Sequence, residues 1–159
     1  MRYRIRPFRN EDADALAKLA VRAIEIIGPC AYSAEQVAAW RARHGDAERY
    51  LESAEAGQLI LVCVDDADRP CAYALLERDG HLDHLYCDPD HTRKGLAETL
   101  LAEAEIAARN SGAARLYTEA SELARPAFER AGYRVSQRRD FEIDGVAIHN
   151  FAMEKALAV

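Results

Sequence analysis

Residues 81–102, HLDHLYCDPDHTRKGLAETLLA, run from an apolar strand into a short polar turn carrying Arg93, Lys94 and Gly95, and an amphipathic helix follows at once. A helix opening on a basic, glycine-bearing turn aims its unpaired backbone N–H groups and the positive end of its dipole at one spot. Such a spot suits a phosphate group. The same stretch gathers His81, Asp83, His84, Cys87, Asp88, Asp90 and His91, all of metal-ligating type. Their spacing matches no zinc signature, and Asp88-x-Asp90 lacks the glycine and glutamate spacing of a calcium loop. The segment reads as an anion grip, with no metal expected.

The elements that position this turn alternate along the chain. Residues 3–7 form a first strand, and Asn10 caps a helix to about residue 27 with Leu16, Leu19, Ala20, Ala23, Ile24 and Ile27 on one face. Gly28-Pro29 ends it. Ser33 and Gln36 make a capping-box pattern for a helix carrying Val37 and Trp40 and stopping at Gly45, and Asp46 caps a shorter one to about residue 54. Runs 59–64, 71–76 and 82–87, separated by DDADRP and RDG, form an antiparallel meander. A helix over 92–109, a strand over 116–119 and a helix over 122–131 follow, the last with Pro126 in its first turn and Gly132 at its end. Strands 133–142 and 146–154, joined through Asp144-Gly145, close the chain as a hairpin. Strand, helix, strand over 81–119 is a right-handed parallel crossover, so the turn lies at the C-terminal end of its strand, the usual ligand crevice of open α/β sheets.

The chain's 159 residues are enough for one domain with a single core, and half of them are apolar. A net charge of −6, from 27 acidic against 21 basic residues, argues against nucleic acid or an anionic membrane as the main partner. No stretch approaches the roughly 20 apolar residues of a membrane span, and the charged N-terminus is no signal peptide. A cytoplasmic protein is expected. Cys30, Cys63, Cys71 and Cys87 show no CxxC spacing, which points to reduced thiols. The oligomeric state is open, a homodimer being one option.

Cys87, Pro89, Thr92, Gly95 and Ala97 fall on the pattern V-x-P-x-x-[QR]-x-x-G-x-[GA], through which the chain resembles the GCN5-related N-acetyltransferase (GNAT) family. The segment 120–133, ASELARPAFERAGY, is similar to the family's stretch ending in a glycine–aromatic pair, and Ile5-Arg6-Pro7-Phe8 to its opening strand. Thr92 stands where the family usually has Gln or Arg, and Arg93 where it often has Gly. Backbone amides supply most of a diphosphate cradle, so both departures are tolerable. The resemblance implies one GNAT domain over residues 1–159, an α/β fold with a mixed, mostly antiparallel sheet of about seven strands flanked by helices. It also implies transfer of an acetyl group from acetyl-CoA directly to a primary amine of a small molecule or peptide.

By the same resemblance, Thr92, Arg93, Lys94, Gly95, Leu96 and Ala97 hold the diphosphate, and the pantetheine arm pairs with the strand at Leu85, Tyr86 and Cys87. Backbone N–H groups there would hold the thioester carbonyl. An amine with a pKa near 10.4 must lose a proton, and His81, Asp83, His84 and Glu119 are the candidate bases, His81 standing where many relatives carry glutamate. Strand alternation puts His81 and Asp83 on one face and His84 on the other, unless a bulge intervenes. The family's tyrosine general acid is replaced by Phe128, which is expected to pack on the cofactor arm beside Ser121. Tyr86, Tyr117 or water are the possible substitutes. Tyr32 and Trp40 are placed beside the acceptor. Cys87, with no base to activate it, is not an acyl-enzyme nucleophile. A non-catalytic acyl-CoA-binding regulatory module is the alternative, favoured by Phe128.

Overall fold

The computed structural model describes residues 2–157. In chain order it holds β1 (Arg4–Pro7), α1 (Ala13–Ile27), α2 (Ala34–Arg41), α3 (Glu48–Glu55), β2 (Leu59–Val64), β3 (Pro70–Leu76), β4 (Leu82–Cys87), α4 (Leu96–Asn110), β5 (Arg115–Ala120), α5 (Arg125–Arg130), β6 (Arg134–Ile143) and β7 (Val146–Ala156). Among the described residues, no helix is long and apolar enough to cross a membrane.

Strands β1 to β4 pair antiparallel in sequence order, and β5, β7 and β6 form a second antiparallel sheet. The parallel crossover is reduced to one bridge, His81 beside Tyr117. Two hydrogen bonds reinforce it, from Tyr117 N to Gly80 O at 3.0 Å and from Thr118 Oγ1 to Leu82 O at 2.7 Å. Gly80 is required at this junction: its φ is +99°, and a Cβ would sit 2.1 Å from the Arg115 carbonyl oxygen. Beyond the bridge β4 and β5 have no pairing with each other, so each becomes the edge of its own sheet. The seven strands expected are present, mostly antiparallel, divided into two sheets that one parallel bridge joins.

Strand β3 is buried along nearly its whole length because both its faces are covered. On one side Ala72, Ala74 and Leu76 pack with Leu100, Leu101 and Ala104 of α4. On the other, Tyr73 and Leu75 pack with Leu16 and Ala20 of α1 and Tyr50 of α3. A two-sided strand reads as a continuous apolar run, as PCAYALL does. A third cluster joins Ile24, Tyr32 and Val37 to Ile143 and Ile148, which folds the tip of the β6–β7 hairpin over α1 and α2.

Local signals account for several boundaries. Ser33 Oγ accepts from Gln36 N at 3.1 Å and Gln36 Oε1 accepts from Ser33 N at 2.9 Å, completing the capping box of α2. Asp46 Oδ1 accepts from Glu48 N at 3.0 Å at the start of α3. Asn10 does not cap α1: residues Asn10–Asp12 form a 3-10 turn, and the Asp12 carboxylate accepts from Arg9 N at 2.8 Å and from the Arg6 guanidinium. Helix α4 starts at Leu96 rather than at residue 92, because Arg93 (φ 60°) and Gly95 (φ 75°) are left-handed and no α-helix continues through them.

Candidate active site

The anion turn is built in two steps after β4. The Asp88 side chain caps a 3-10 turn, Pro89–His91, by accepting from Asp90 N at 2.9 Å. Arg22 of α1 ties this turn down, bonding Asp88 at 3.2 Å and Asp90 at 3.3 Å. The left-handed Arg93 and Gly95 then turn the backbone into α4. Residues Thr92 to Gly95 are exposed, and among the described residues no protein group accepts from the amides of Arg93, Lys94, Gly95 or Leu96. A Cβ at Gly95 meets nothing within 4 Å, so the space over those amides is open. Unpaired amides at a helix start form an anion cradle. Glu98, an acid in that first turn, is held by Arg130 at 2.6 Å, which offsets its charge.

Strand β4 carries the second feature. Leu75 pairs with His84, but Leu76 pairs with Leu82, so Asp83 is an extra residue in a β-bulge. Leu82 and Leu85 both turn toward α4, whereas His84 and Tyr86 lie among the aromatic groups of the opposite face. Asp83 is released from the strict alternation and lines a cavity in the gap between the two sheets. From Asp83 onward, the edge of β4 facing β5 has no strand partner.

The four candidate bases separate into two pairs. Asp83 and Glu119 line the cavity; His81 and His84 do not. His81 Nε2 lies 2.7 Å from Glu119 Oε1, its Nδ1 bonds Glu77, and its ring stacks on Tyr117 with centroids 4.8 Å apart. The hydrogen bond to Glu119, against the opposing effect of burial, lifts the His81 pKa to about 9. A pKa raised that far keeps His81 protonated at neutral pH, which counts against it as the group that takes the amine's proton. Glu119 is correspondingly held below its usual value by that bond. His84 is 7% exposed and bonds the Tyr73 hydroxyl at 2.9 Å, and that hydroxyl in turn bonds Tyr50 at 2.5 Å. Burial pushes the His84 pKa down to about 3, so it is a neutral part of a packed network rather than a group facing the cleft. Asp83 has its pKa raised, first by burial against the cleft walls and then by the neighbouring Glu77 and Glu119 charges, with His81 opposing. Glu77, His81 and Asp83 place their ligand atoms within 4.8 Å of one another, but both His81 nitrogens are already held by carboxylates.

Two cavities meet beside β4. The first has Tyr32, Trp40, Asp83, Glu119 and Phe128 in its wall; the second, more apolar, has Cys87, Thr92, Ala97, Leu100 and Ala127. Trp40, Leu85, Tyr86, Ser121 and Ala124 belong to both. Tyr32 ties three segments together: its hydroxyl donates to His149 O at 3.0 Å and accepts from Glu122 N at 2.8 Å. Tyr86 OH lies 3.1 Å from His44 Nε2, with its pKa raised by burial. The Tyr117 hydroxyl bonds Asp79 and lines neither cavity, so Tyr117 does not stand in for the missing tyrosine. Phe128 is 2% exposed and packs edge-on against Tyr133 at 5.0 Å. Ser121 Oγ accepts from Ala124 N at 3.1 Å. Cys87 is raised to about 11 by burial and the Asp88 charge, an inert thiol. The sequence reading missed Phe141, Ile143, Ile148 and Asn150, which the hairpin brings to the first cavity. Their only signal was a hairpin long enough to reach over α2.

A model of the acetyltransferase (GNAT) domain matches residues 30–155. An uncharacterized N-acetyltransferase, YafP of Escherichia coli (strain K12), is 27% identical over 149 residues, 94% of this chain and 93% of that protein. The crystal structure of a GCN5-related N-acetyltransferase from Rhodopseudomonas palustris superposes with a TM-score of 0.89 at 32% identity, covering 99% of this chain and 97% of that one. The PaiA N-acetyltransferase of Thermoplasma acidophilum, solved with coenzyme A, shares the fold at a TM-score of 0.80 and 22% identity, over 99% of this chain and all of that one. With the family model spanning most of its length, this chain belongs to the GNAT family of acetyl-CoA-dependent N-acetyltransferases.

Proposed function

We propose that this chain, one domain over residues 1–159, transfers an acetyl group from acetyl-CoA directly to a primary amine of a small molecule or peptide. The observation that carries the reading is the meeting of two cavities at the unpaired edge of β4: an apolar channel leading from the amide turn, and a cleft containing two carboxylates. The residues fit the donor. The free amides of residues 93–96 suit a diphosphate, and the apolar wall through Cys87, Ala97 and Leu100 suits an extended arm. Bound acetyl-CoA supplies an activated acetyl group. The backbone amides near Leu85 to Cys87 would stabilise charge developing on its carbonyl oxygen.

Glu119, kept ionised by His81, attracts the ammonium form of the acceptor, and Asp83, with its raised pKa, takes the proton directly or through water. His81 positions Glu119 and takes no proton itself. A thiolate leaves readily enough that water suffices to protonate it, so Phe128 is compatible with turnover. A cytoplasmic site of action goes with this reading, with Cys63 and Cys71 buried as free thiols.

The test is amine-dependent thiol release with wild type, Asp83→Asn and Glu119→Gln, beside calorimetric titration of acetyl-CoA. The expected result is a loss of about 10²-fold in kcat for Asp83→Asn with donor affinity unchanged, in the range of general-base catalysis. Donor binding with no turnover for any amine would instead identify a non-catalytic acyl-CoA-binding module, the reading that Phe128 favours.

A further inference from the structure

The walls of the first cavity carry information about what the acceptor contains besides its amine. Among the described residues, no lysine or arginine lines it. Its polar groups are largely committed within the protein. Thr118 Oγ1 donates to Leu82 O, His149 Nε2 bonds Glu122 at 2.5 Å, and Asn150 Oδ1 accepts from Arg139 at 2.9 Å. Arg139 is held by that bond and lies over the Phe141 ring at 5.1 Å. Glu119 has one oxygen on His81 and Asp83 has one 3.5 Å from His84 Nε2, so the second oxygen of each carboxylate is left for the acceptor.

The remaining wall is aromatic and aliphatic. Tyr32 and Trp40 meet edge-on at 5.6 Å, Trp40 and Tyr86 lie 6.4 Å apart, and Phe141, Ile143 and Ile148 close the hairpin side. Such walls bury apolar bodies and accommodate a cation over a ring face. An anionic group on the acceptor would meet Asp83 and Glu119 in a half-enclosed site where the His81 imidazolium is already taken up by Glu119 and Glu77, and like charges brought together across an interface disfavour binding.

Resting on the acetyltransferase reading, we propose that the acceptor is an amine with an apolar or aromatic body and no carboxylate or phosphate of its own, so that free amino acids are excluded by charge. The test uses matched sets sharing one body: phenethylamine, phenylalanine amide and phenylalanine, then tryptamine, tryptophan amide and tryptophan. Thiol release gives kcat/KM for each, and calorimetry gives acetyl-CoA binding. The expected result is turnover of the decarboxylated amine and the amide, with the amino acid at least tenfold lower in each set, a ratio that shrinks as added salt screens the charge. The amide matches the amino acid in bulk, so a deficit confined to the carboxylate is electrostatic. Equal or faster turnover of the amino acids overturns this inference and leaves the acetyltransferase reading standing. If acetyl-CoA binds and no member of either set is acetylated while other primary amines are, this inference fails and the acetyltransferase reading stands; no turnover of any amine overturns both.

Discussion

Replacement of His81 by asparagine tests the electrostatics beneath the proposed acceptor cleft. In the native protein His81 sits between Glu119 and Glu77, its side chain 16% exposed, and its pKa is lifted to about 9 from 6.5. At about 1.36 kcal/mol per pKa unit, that rise corresponds to about 3 kcal/mol of extra stability at low pH. Glu77 and Glu119 are 37% and 34% exposed. Screening by solvent therefore reduces the expected figure to about 1–2 kcal/mol. The sign follows from the folded state binding the proton more tightly than the unfolded chain. The contribution is complete below about pH 6.5 and is lost as pH rises through about 9. Urea unfolding of wild type and His81→Asn at pH 6, 7.5 and 9.5 should show wild type losing about 1–2 kcal/mol more than the variant across that window. Proton NMR of the imidazole should give a midpoint well above 6.5. A midpoint at or below 6.5, or parallel pH profiles for the two proteins, would refute the reasoning and restore His81 as a candidate base.

Two further perturbations probe the frame. Among the described residues the buried Tyr133 hydroxyl has no hydrogen-bond partner, so Tyr133→Phe should stabilise the fold, by up to about 1 kcal/mol in thermal or urea unfolding, because it removes an unpaired polar group and leaves the ring in place. Asp12 holds Arg6 through two hydrogen bonds of 2.8 and 2.9 Å, with both side chains under a tenth exposed. Asp12→Ala leaves that guanidinium with Asp68 at 2.9 Å and the Pro7 carbonyl, and should lower stability by about 1.5–3 kcal/mol, measured in the same way. In wild type, burial raises the Asp12 pKa, while the Arg6 and Arg9 hydrogen bonds lower it by more, so this contribution should fade as pH drops through the carboxylate range.

How far the sequence revealed the molecule depended on the range of the interactions involved. The 59–87 meander, the Ser33–Gln36 box and the glycine-bearing turn rest on neighbours a few residues apart, and all three are present. The start of α4 was misplaced because Arg93 adopts a positive φ that its residue type does not announce. The bulge at Asp83 was foreseen only as an exception to alternation, since pairing against β3 sets it rather than β4 alone. His81 and Glu119 were legible as candidate bases but their hydrogen bond was not, because Glu119 comes from 38 residues away on the other sheet. The acceptor wall from Phe141 to Asn150 depends on the hairpin docking over α2, a tertiary contact with no local motif.

On the proposed reading, the donor enters between β4 and β5 with its diphosphate on the turn before α4. Crystals of the protein with coenzyme A test it most directly. Diphosphate oxygens are expected within hydrogen-bond distance of the amides of residues 93–97, and the pantetheine arm alongside Leu85 to Cys87. Coenzyme A lodged elsewhere, or a pantetheine arm lying outside the gap between the two sheets, would contradict it.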